Sequence, residues 1–408
     1  MKPSWRLLIL TALSLTLAHA CFSQKLLRSS RNATLSAASL NKKVWKHFTG
    51  KYALPKAMHP VEIYSVRYTS PDWRGKARRL SGCVALPANG APKGLVLFYH
   101  GTITDRRLSP SFYNGTQEGE TELAVLAFAT AGFAVACPDY IGLGGDPGAH
   151  PYPLASINGP SGLDLLPHAR FIAERERIAI GVNDYVAGYS EGGACAYWAA
   201  TQRTTFTAAA PMAGPYDLTG VTLDGLLKPT KAIQTYAAKL YLVSCLGYSA
   251  SELFGLDLKD YFAPSFASHI PKVFKEQLTD KQRAQKLATK GVQIGAIGSI
   301  NKALSGRFRK VLQDKNMSDP LMRMLERENL YQRAPQTKTL LVCLYSDQVV
   351  PWGNSYKALS WIHKAAYDQS FARLHVIRDK LDHITAAAPS MALARRFFLG
   401  GFAAVGTR

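Results

Sequence analysis

The chain has 408 residues, of which 47% are hydrophobic and 19% are charged. This length suits one large α/β domain with an insertion, or two ordinary domains, and the composition excludes a disordered, collagen-like or multi-span membrane protein. The net charge of +21 is unevenly placed. Residues 21–80 hold 13 Lys and Arg against 2 Asp and Glu, and residues 221–336 hold 18 against 10.

The basic character allows two interpretations. It is either an ordinary solvated surface, or a surface attracted to anionic membrane lipids or envelope polymers. No stretch combines basic residues with stacking aromatic residues, so no nucleic-acid partner is predicted. The sequence does not indicate an oligomeric state.

The first twenty residues have the layout of a secretory signal peptide. Lys2 and Arg6 precede an apolar run from Leu7 to Leu17, and Ala18-His19-Ala20 has the small-x-small pattern of a cleavage site. The apolar run is too short to span a membrane. Because Cys21 comes next, a lipoprotein is a second possibility, although His19 fits the lipidation motif poorly. We therefore predict an exported protein that is secreted, periplasmic or attached to the envelope.

Residues 21–80 form a basic segment that leads into a predicted sheet, and residues 61–87 could fold as an antiparallel edge hairpin. Beyond residue 80, short apolar runs alternate with helical stretches. The predicted strands are SGCVALPA, GLVLFYHG, FAVACPDY, DYVAGYS, FTAAAPMAG, TLLVCLYSD and ARLHVI. The predicted helices are Glu120–Ala131, Leu163–Glu176, Glu191–Thr201, Gly353–Ala366 and Ala388–Leu399. Such alternation, with strands apolar throughout, predicts an α/β fold with a doubly wound, mostly parallel sheet.

The alternation stops between residues 219 and 336, which are rich in Lys, Leu, Ala and Gln and mostly helical in pattern. This stretch stands between two predicted core strands. We therefore predict a core made of residues 81–218 and 337–408, with an inserted helical cap or lid over the strand ends.

The cysteines show no disulfide or metal-binding spacing. Cys83, Cys137 and Cys343 lie in predicted strands and Cys195 lies in a predicted helix, while Cys245 falls in the insertion. Buried free cysteines of this kind behave as small hydrophobic residues. Because the histidines show no ligand spacing either, neither a metal nor another cofactor is predicted.

The motif Gly188-Tyr189-Ser190-Glu191-Gly192 lies between a predicted strand and a predicted helix. So tight a turn strains the serine backbone and projects its hydroxyl out of the sheet, while Gly188 and Gly192 leave room for neighbouring backbone. The N-terminus of the following helix also favours developing negative charge. These features make Ser190 the candidate nucleophile.

This order of motifs resembles the α/β-hydrolase superfamily over nearly the whole chain after residue 20. In that fold the acid and the histidine follow the serine, which implies Asp347, after a predicted strand, and His383, in the loop after the last one. His375 lies within a strand and His363 on an apolar helix face, so both are weaker candidates. Asp382 is a weak candidate for the acid because adjacent residues seldom present side chains to each other.

The same resemblance implies an oxyanion site after the strand that ends in His100-Gly101-Thr102. The backbone N–H groups of Gly101 or Thr102, together with that of Glu191, are the candidate donors, and the sequence does not choose between the first two. Each such donor is worth roughly 10²–10³ in rate. His100 is expected to support the loop rather than to act as a second base.

The stretches FYHGTITDRRLSPS, PDYIGLGGDPGAHPY and GYSEGG together resemble the secreted lipase and carboxylesterase branch of the superfamily. The resemblance implies a secreted serine esterase or lipase that cleaves small-molecule or lipid esters through a Ser-His-Asp triad and an acyl-enzyme. It also implies that PDYIGLG and HPY line or brace the mouth of the site, although either could simply close a loop over the sheet edge. A peptidase and an acyltransferase on the same fold remain alternatives, as does a non-catalytic binding module.

Overall fold

The computed structural model describes residues 25–365 and 370–406. The predicted signal peptide and Cys21 lie outside these residues. Within them, the strands in chain order are β1 (Leu26–Leu35), β2 (Val61–Pro71), β3 (Ala77–Pro87), β4 (Leu95–Tyr99), β5 (Ala134–Pro138), β6 (Asp184–Tyr189), β7 (Phe206–Met212), β8 (Thr339–Leu344) and β9 (Ala372–Ile377). They form one sheet in the order β1-β2-β3-β5-β4-β6-β7-β8-β9.

Six neighbouring strands of this sheet, β4 to β9, run parallel to one another. The remaining edge is antiparallel and contains β1, β2 and β3, of which β2 and β3 form the hairpin considered from the sequence. All seven predicted strands are confirmed. Every residue of β4, β5, β6 and β8 is buried, because parallel strands are covered by helices on both faces.

The helices fall into two groups, those that flank the sheet and those inserted between β7 and β8. The flanking helices are α1 (Ala37–His47), α2 (Glu120–Phe128), α3 (Ala155–Arg175) and α4 (Glu191–Gln202), followed after the insertion by α13 (Gly353–Lys364) and α14 (Ala387–Gly400). The inserted helices are α5 (Leu223–Leu227), α6 (Ile233–Phe254), α7 (Leu258–Tyr261), α8 (Pro264–Ala267), α9 (Ile270–Lys275), α10 (Asp280–Gln293), α11 (Gly306–Gln313) and α12 (Pro320–Arg327).

Two apolar cores lie on opposite faces of the sheet, as a doubly wound fold requires. One core joins α1, α2 and α14 to residues such as Val96 and Ile63. The other joins α3, α4 and α13 to residues such as Leu97 and Val84. Val96 and Leu97 are neighbours on β4, so successive side chains enter different cores. Each fully buried aliphatic side chain of this kind contributes about 1.5–3 kcal/mol to folding.

The helix α3 is longer than the sequence indicates. It begins at Ala155, eight positions before the predicted start at residue 163, and it contains Pro160 and Pro167. Proline has no N–H to donate to the carbonyl four positions earlier, so the carbonyl groups of residues 156 and 163 lack that helical hydrogen bond. Two hydroxyls from the sheet bind other carbonyl groups of this helix, since Tyr99 donates to the carbonyl of Gly159 and Tyr68 to that of Ser161.

The inserted helices have an apolar cluster of their own, centred on residues such as Leu240, Phe266 and Leu287. The domain boundaries predicted at residues 218 and 336 stay predictions. Cys83, Cys137, Cys195, Cys245 and Cys343 are all buried and unpaired. None of the helices in residues 25–365 and 370–406 has both the length and the apolar composition of a membrane-spanning helix.

Candidate active site

The turn between β6 and α4 places Ser190 in a strained conformation. Its φ of 56° and ψ of −122° lie outside the regions that non-glycine residues prefer, which costs of order 1–3 kcal/mol. The flanking glycines permit the turn, because a Cβ on Gly188 would lie 2.0 Å from the carbonyl oxygen of Gly192. A Cβ on Gly192 would lie 2.0 Å from the carbonyl oxygen of Tyr99. Both glycines are therefore required by close backbone contacts.

The structure brings Ser190, His383 and Asp347 together from three separate loops. Nε2 of His383 lies 2.8 Å from Oγ of Ser190, although the two residues are 193 positions apart. Nδ1 of His383 lies 2.6 Å from Oδ2 of Asp347. The other carboxylate oxygen of Asp347 accepts hydrogen bonds from the N–H groups of Val349 and Val350. This carboxylate is therefore held on both oxygens and oriented towards the imidazole.

Burial and neighbouring charge shift the pKa of His383 in opposite directions. Burial disfavours the imidazolium, but the charge and hydrogen bond of Asp347, with smaller contributions from Glu120 and Asp382, outweigh it and raise the pKa of His383. The carboxylate of Asp382 is occupied by Thr385 and does not act as the histidine's partner.

The two weaker histidine candidates lie elsewhere. His363 and His375 both line a cavity beside β9, where the ring of His363 bonds to the carbonyl of Ala372.

The oxyanion loop follows β4 and is held by side chains around it. The hydroxyl of Tyr140 donates to the carbonyl of His100 over 2.6 Å, and the ring of Tyr140 stacks on that of His100 with centroids 4.2 Å apart. Nδ1 of His100 lies 2.6 Å from the carbonyl oxygen of Gly101. Burial lowers the pKa of His100 to about 4, so its imidazole is neutral at pH 7 and can donate from Nδ1 to that carbonyl. His100 thus lies where a loop support is expected.

The two candidate donors in this loop, the N–H groups of Gly101 and Thr102, differ in whether they already have an acceptor. The N–H of Gly101 donates to Oε2 of Glu120 over 2.8 Å. Among residues 25–365 and 370–406, by contrast, no acceptor contacts the N–H groups of Thr102 and Glu191. Thr102 and Glu191 are therefore the candidates with a free donor.

A buried ion pair lies behind the nucleophile. Oε1 of Glu191 is 2.7 Å from Nε2 of His150 and 3.2 Å from Nδ2 of Asn158. Burial disfavours a charged His150, but Glu191 outweighs it and raises the pKa of His150. The ring of Tyr140 stacks on both His150 and His100, so one aromatic column connects the oxyanion loop to this pair.

The inserted helices contact the oxyanion loop through the first turn of α10. Oδ1 of Asp280 accepts hydrogen bonds from the N–H groups of Thr104 and Asp105 and from the hydroxyl of Thr104. Nε of Arg283 donates to that same hydroxyl oxygen. The position of the insertion and the conformation of the loop are therefore linked.

A cavity of about 320 Å³ lies between the oxyanion loop and the insertion. Its walls include Thr102, Tyr152, Cys245, Tyr248 and Phe274. Two arginines brace the same walls by donating to backbone carbonyl groups, Arg106 to those of residues 144, 146 and 148 and Arg283 to those of residues 273 and 276.

Sequence reasoning missed three residues of this site, Glu120, His150 and Asp280. The family resemblance predicts that the stretch containing His150 either braces the mouth of the site or closes a loop, and it does not indicate the contact with Glu191. The only local signals for the two acids are that each opens a helix, Glu120 after Gly119 and Asp280 after Thr279. Among the described residues there is no group of three or more His, Cys, Asp or Glu side chains arranged to hold a metal ion.

A mostly parallel sheet with a strand–serine–helix turn, where the serine meets a histidine and an aspartate from later loops, defines an α/β-hydrolase. More narrowly, the chain belongs to the secretory lipase family, whose family model matches residues 110–398. It is therefore a member of the ester hydrolases of lipase and esterase type. No curated protein sequence matches the chain.

Solved structures of low sequence identity share the fold. A protein from Legionella pneumophila is 22% identical with a TM-score of 0.80, and the match covers 94% of this chain and 100% of that one. The rice cell wall degrading esterase LipA from Xanthomonas oryzae is 19% identical with a TM-score of 0.72, covering 93% and 96%. Lipase A of Candida antarctica in its closed state is 12% identical with a TM-score of 0.62, covering 92% and 82%.

Proposed function

We propose that the protein is an exported serine esterase that cleaves carboxylic esters through a covalent acyl-enzyme on Ser190. The observation that carries this proposal is the position of His383, whose two ring nitrogens lie within hydrogen-bond distance of Ser190 and of Asp347. Asp347 accepts from Nδ1–H, which leaves Nε2 as the acceptor for the serine proton. Membership of the secretory lipase family supports the ester as the bond cleaved.

In the acylation step, Oγ of Ser190 attacks the ester carbonyl while Nε2 of His383 takes the hydroxyl proton. Asp347 stays ionised and stabilises the imidazolium. The tetrahedral oxyanion accepts hydrogen bonds from the N–H groups of Thr102 and Glu191, the latter at the N-terminus of α4 where negative charge is favoured. The imidazolium then protonates the leaving alkoxide, and the alcohol departs.

In the deacylation step, water attacks the acyl carbonyl and gives its proton to His383. Collapse of the second tetrahedral intermediate releases the carboxylic acid, and the proton returns to Ser190. Atoms and charges balance over the cycle, since one ester and one water become one acid and one alcohol.

The cavity beside Thr102 is our candidate acyl pocket. Its volume of about 320 Å³ lies at the lower end of the range of roughly 300–1,000 Å³ that is usual for ligand sites. Tyr248 and Phe274 stack across one wall with ring centroids 4.5 Å apart and supply apolar contact. This pocket suits short or medium acyl chains better than long fatty acyl chains. The inserted helices that form its roof would then serve as the cap.

A panel of p-nitrophenyl esters of increasing acyl length tests the reaction and the pocket together. Ser190→Ala should lower kcat by roughly 10⁴–10⁶, because triad residues act as a unit. Ser318→Ala, at an exposed serine, is the matched control and should retain wild-type turnover. A peptide substrate and an added alcohol acceptor test the peptidase and acyltransferase alternatives. Full turnover by Ser190→Ala, or no turnover by the wild type, would contradict the proposal.

Export is the second part of the proposal. It rests on the layout of residues 1–20 and is supported by the secretory character of the family. Mass spectrometry of the mature protein should find a chain that begins at or after Cys21, and a lipid adduct on Cys21 would identify a lipoprotein. A protein that keeps Met1 and stays in the cytoplasm would contradict this part.

A further inference from the structure

The carboxyl group of Glu120 lies beside the nucleophile, although the reaction described above does not use it. Its Oε2 accepts the N–H of Gly101 over 2.8 Å. A Cβ placed on Gly101 would lie 2.5 Å from Oε1 of Glu120 and 3.2 Å from Cβ of Ser190. The Glu120 carboxyl and the Ser190 side chain thus flank the same small space beside Gly101.

Two successive peptide groups of the oxyanion loop are held almost completely by side chains. In the first, the carbonyl of His100 is bonded by Tyr140 and the N–H of Gly101 by Glu120. In the second, the carbonyl of Gly101 is bonded by the ring of His100. The N–H of this second peptide, which belongs to Thr102, has no acceptor within the described parts of the chain.

We propose that Glu120 is a positioning residue that fixes Gly101 so that the N–H of Thr102, and not that of Gly101, points at the oxyanion. This inference rests on the serine esterase mechanism proposed above. Oxyanion donors accelerate the reaction because they already point at the oxygen on which negative charge develops. If the peptide between Gly101 and Thr102 can rotate, the N–H of Thr102 loses this alignment and the rate falls. Glu120 touches neither the substrate nor the reacting atoms in this assignment, and its effect passes through Gly101.

The charge of Glu120 gives the proposal a second readout. Burial raises the pKa of the Glu120 carboxyl to about 7, while the Gly101 N–H and His383 partly oppose the rise. In the other direction, an ionised Glu120 raises the pKa of His383. The other titratable groups around Glu120 are the tyrosines Tyr113, Tyr140 and Tyr189, the imidazole of His100 and the carboxyl groups of Glu118, Glu122 and Glu191. Each of the three carboxylates among them already has a basic partner. Glu118 pairs with Lys46, Glu122 with Lys43 and Glu191 with His150.

The test compares Glu120→Ala with Glu120→Gln. The alanine variant loses the acceptor for the Gly101 N–H. We expect kcat to fall about 10- to 100-fold with KM nearly unchanged, because the loss in rate cannot exceed that caused by removing one oxyanion donor. The glutamine variant keeps an oxygen acceptor for the Gly101 N–H, so kcat should stay within a few-fold of wild type. Because glutamine carries no charge, the acidic limb of its kcat/KM profile should shift to lower pH.

Glu118→Gln is the matched control, since Glu118 lies two positions earlier and its ion pair with Lys46 is solvent-exposed. Its kcat and pH profile should equal those of wild type. Thermal melting checks the fold of each variant. Glu120→Ala could melt at a lower temperature than wild type. In that case the affinity for a trifluoromethyl ketone, with which the serine forms a hemiketal oxyanion, is measured on the protein that remains folded. This affinity should fall in parallel with kcat/KM.

Three results would overturn the inference. Glu120→Ala could turn over at the wild-type rate or faster, which would make the carboxyl a bystander or an obstruction. Glu120→Gln could be as impaired as Glu120→Ala, or its acidic limb could stay in place. Ser190→Ala is assayed alongside, because loss of activity there together with unaffected Glu120 variants rejects only the positioning role. Retained activity in Ser190→Ala rejects the mechanism itself.

Discussion

The imidazole of His150 and the carboxylate of Glu191 form an ion pair 2.7 Å long directly behind the nucleophile turn, with side chains only 8% and 2% exposed. His150→Gln leaves the buried carboxylate of Glu191 without its cationic partner. Breaking a buried pair in this way costs about 3–5 kcal/mol, so we expect the free energy of unfolding to fall by that amount in urea titrations. Glu191→Gln should cost less, because His150 can lose its proton.

The double variant His150→Gln/Glu191→Gln provides the control. Removing both charges leaves no unpaired ion, so its loss of stability should be smaller than the sum of the two single losses. Losses that add within about 0.5 kcal/mol would show that the two residues are not coupled.

The second prediction concerns the pH dependence of catalysis. A protonated His383 cannot accept the serine proton, so kcat/KM should rise with pH as His383 loses its proton. Because Asp347 outweighs burial and raises the pKa of His383, this limb should lie above the ordinary imidazole value of 6.5. Asp347→Asn removes the charge, so the limb should move to lower pH while kcat falls by roughly 10⁴. Profiles of kcat/KM measured with a neutral ester check both effects.

Asp382→Asn is the comparison for this experiment, since its carboxylate bonds to Thr385 and not to the imidazole. Its kcat should stay close to that of wild type. An acidic limb that keeps its position in Asp347→Asn would argue against Asp347 as the partner of His383.

The third prediction concerns the link between the insertion and the oxyanion loop. Asp280→Ala removes the acceptor of three hydrogen bonds from Thr104 and Asp105. Small displacements of catalytic groups are costly, and we expect kcat/KM to fall about tenfold. The insertion should also become more sensitive to limited proteolysis. Asp314→Ala, at an exposed ion pair with Lys310, should change neither quantity; equal behaviour of the two variants would refute the link.

The fourth prediction concerns acyl-chain preference. Tyr248 lines the cavity beside Thr102 and stacks on Phe274. Tyr248→Ala enlarges this cavity, so the ester chain length that gives the highest kcat/KM should increase. Tyr356→Ala, at a tyrosine that is 56% exposed on α13, should leave the preference unchanged. An unaltered profile in Tyr248→Ala would place the acyl group elsewhere.

The fifth prediction concerns the nucleophile turn. A Cβ on Gly192 would lie 2.0 Å from the carbonyl oxygen of Tyr99 and 2.6 Å from that of His100. Gly192→Ala must therefore displace backbone, and we expect a loss of stability of at least about 1–3 kcal/mol together with most of the activity. Gly306→Ala, where the nearest heavy atom would be 3.9 Å away, should be tolerated. Urea unfolding and ester turnover distinguish the two, and equal tolerance would contradict the packing argument.

The strands β4, β5, β6 and β8 are predictable from the sequence because parallel strands buried on both faces read as continuous apolar runs. The start of α3 was predicted eight positions late, because Pro160 argues locally against a helix. The hydroxyls of Tyr68 and Tyr99 attach this turn of the helix to the sheet by donating to the carbonyl groups of Ser161 and Gly159. Nothing in the residues around Pro160 reveals that these two tyrosines lie above it.

The sequence by itself determined the fold class, the strained serine turn and the order in which the serine, the acid and the histidine occur. The first two features are local, since burial patterns, glycine spacing and strand–helix junctions involve residues close together in the chain, whereas the third follows from the motif order that the chain shares with the α/β-hydrolases. Only the tertiary structure decided which backbone donor near Ser190 is free and how the insertion holds the oxyanion loop. Those outcomes depend on Glu120 meeting Gly101 across 19 positions and on Asp280 meeting Thr104 across 176. Such contacts arise from how helices pack at the end of the sheet, and no local pattern encodes them.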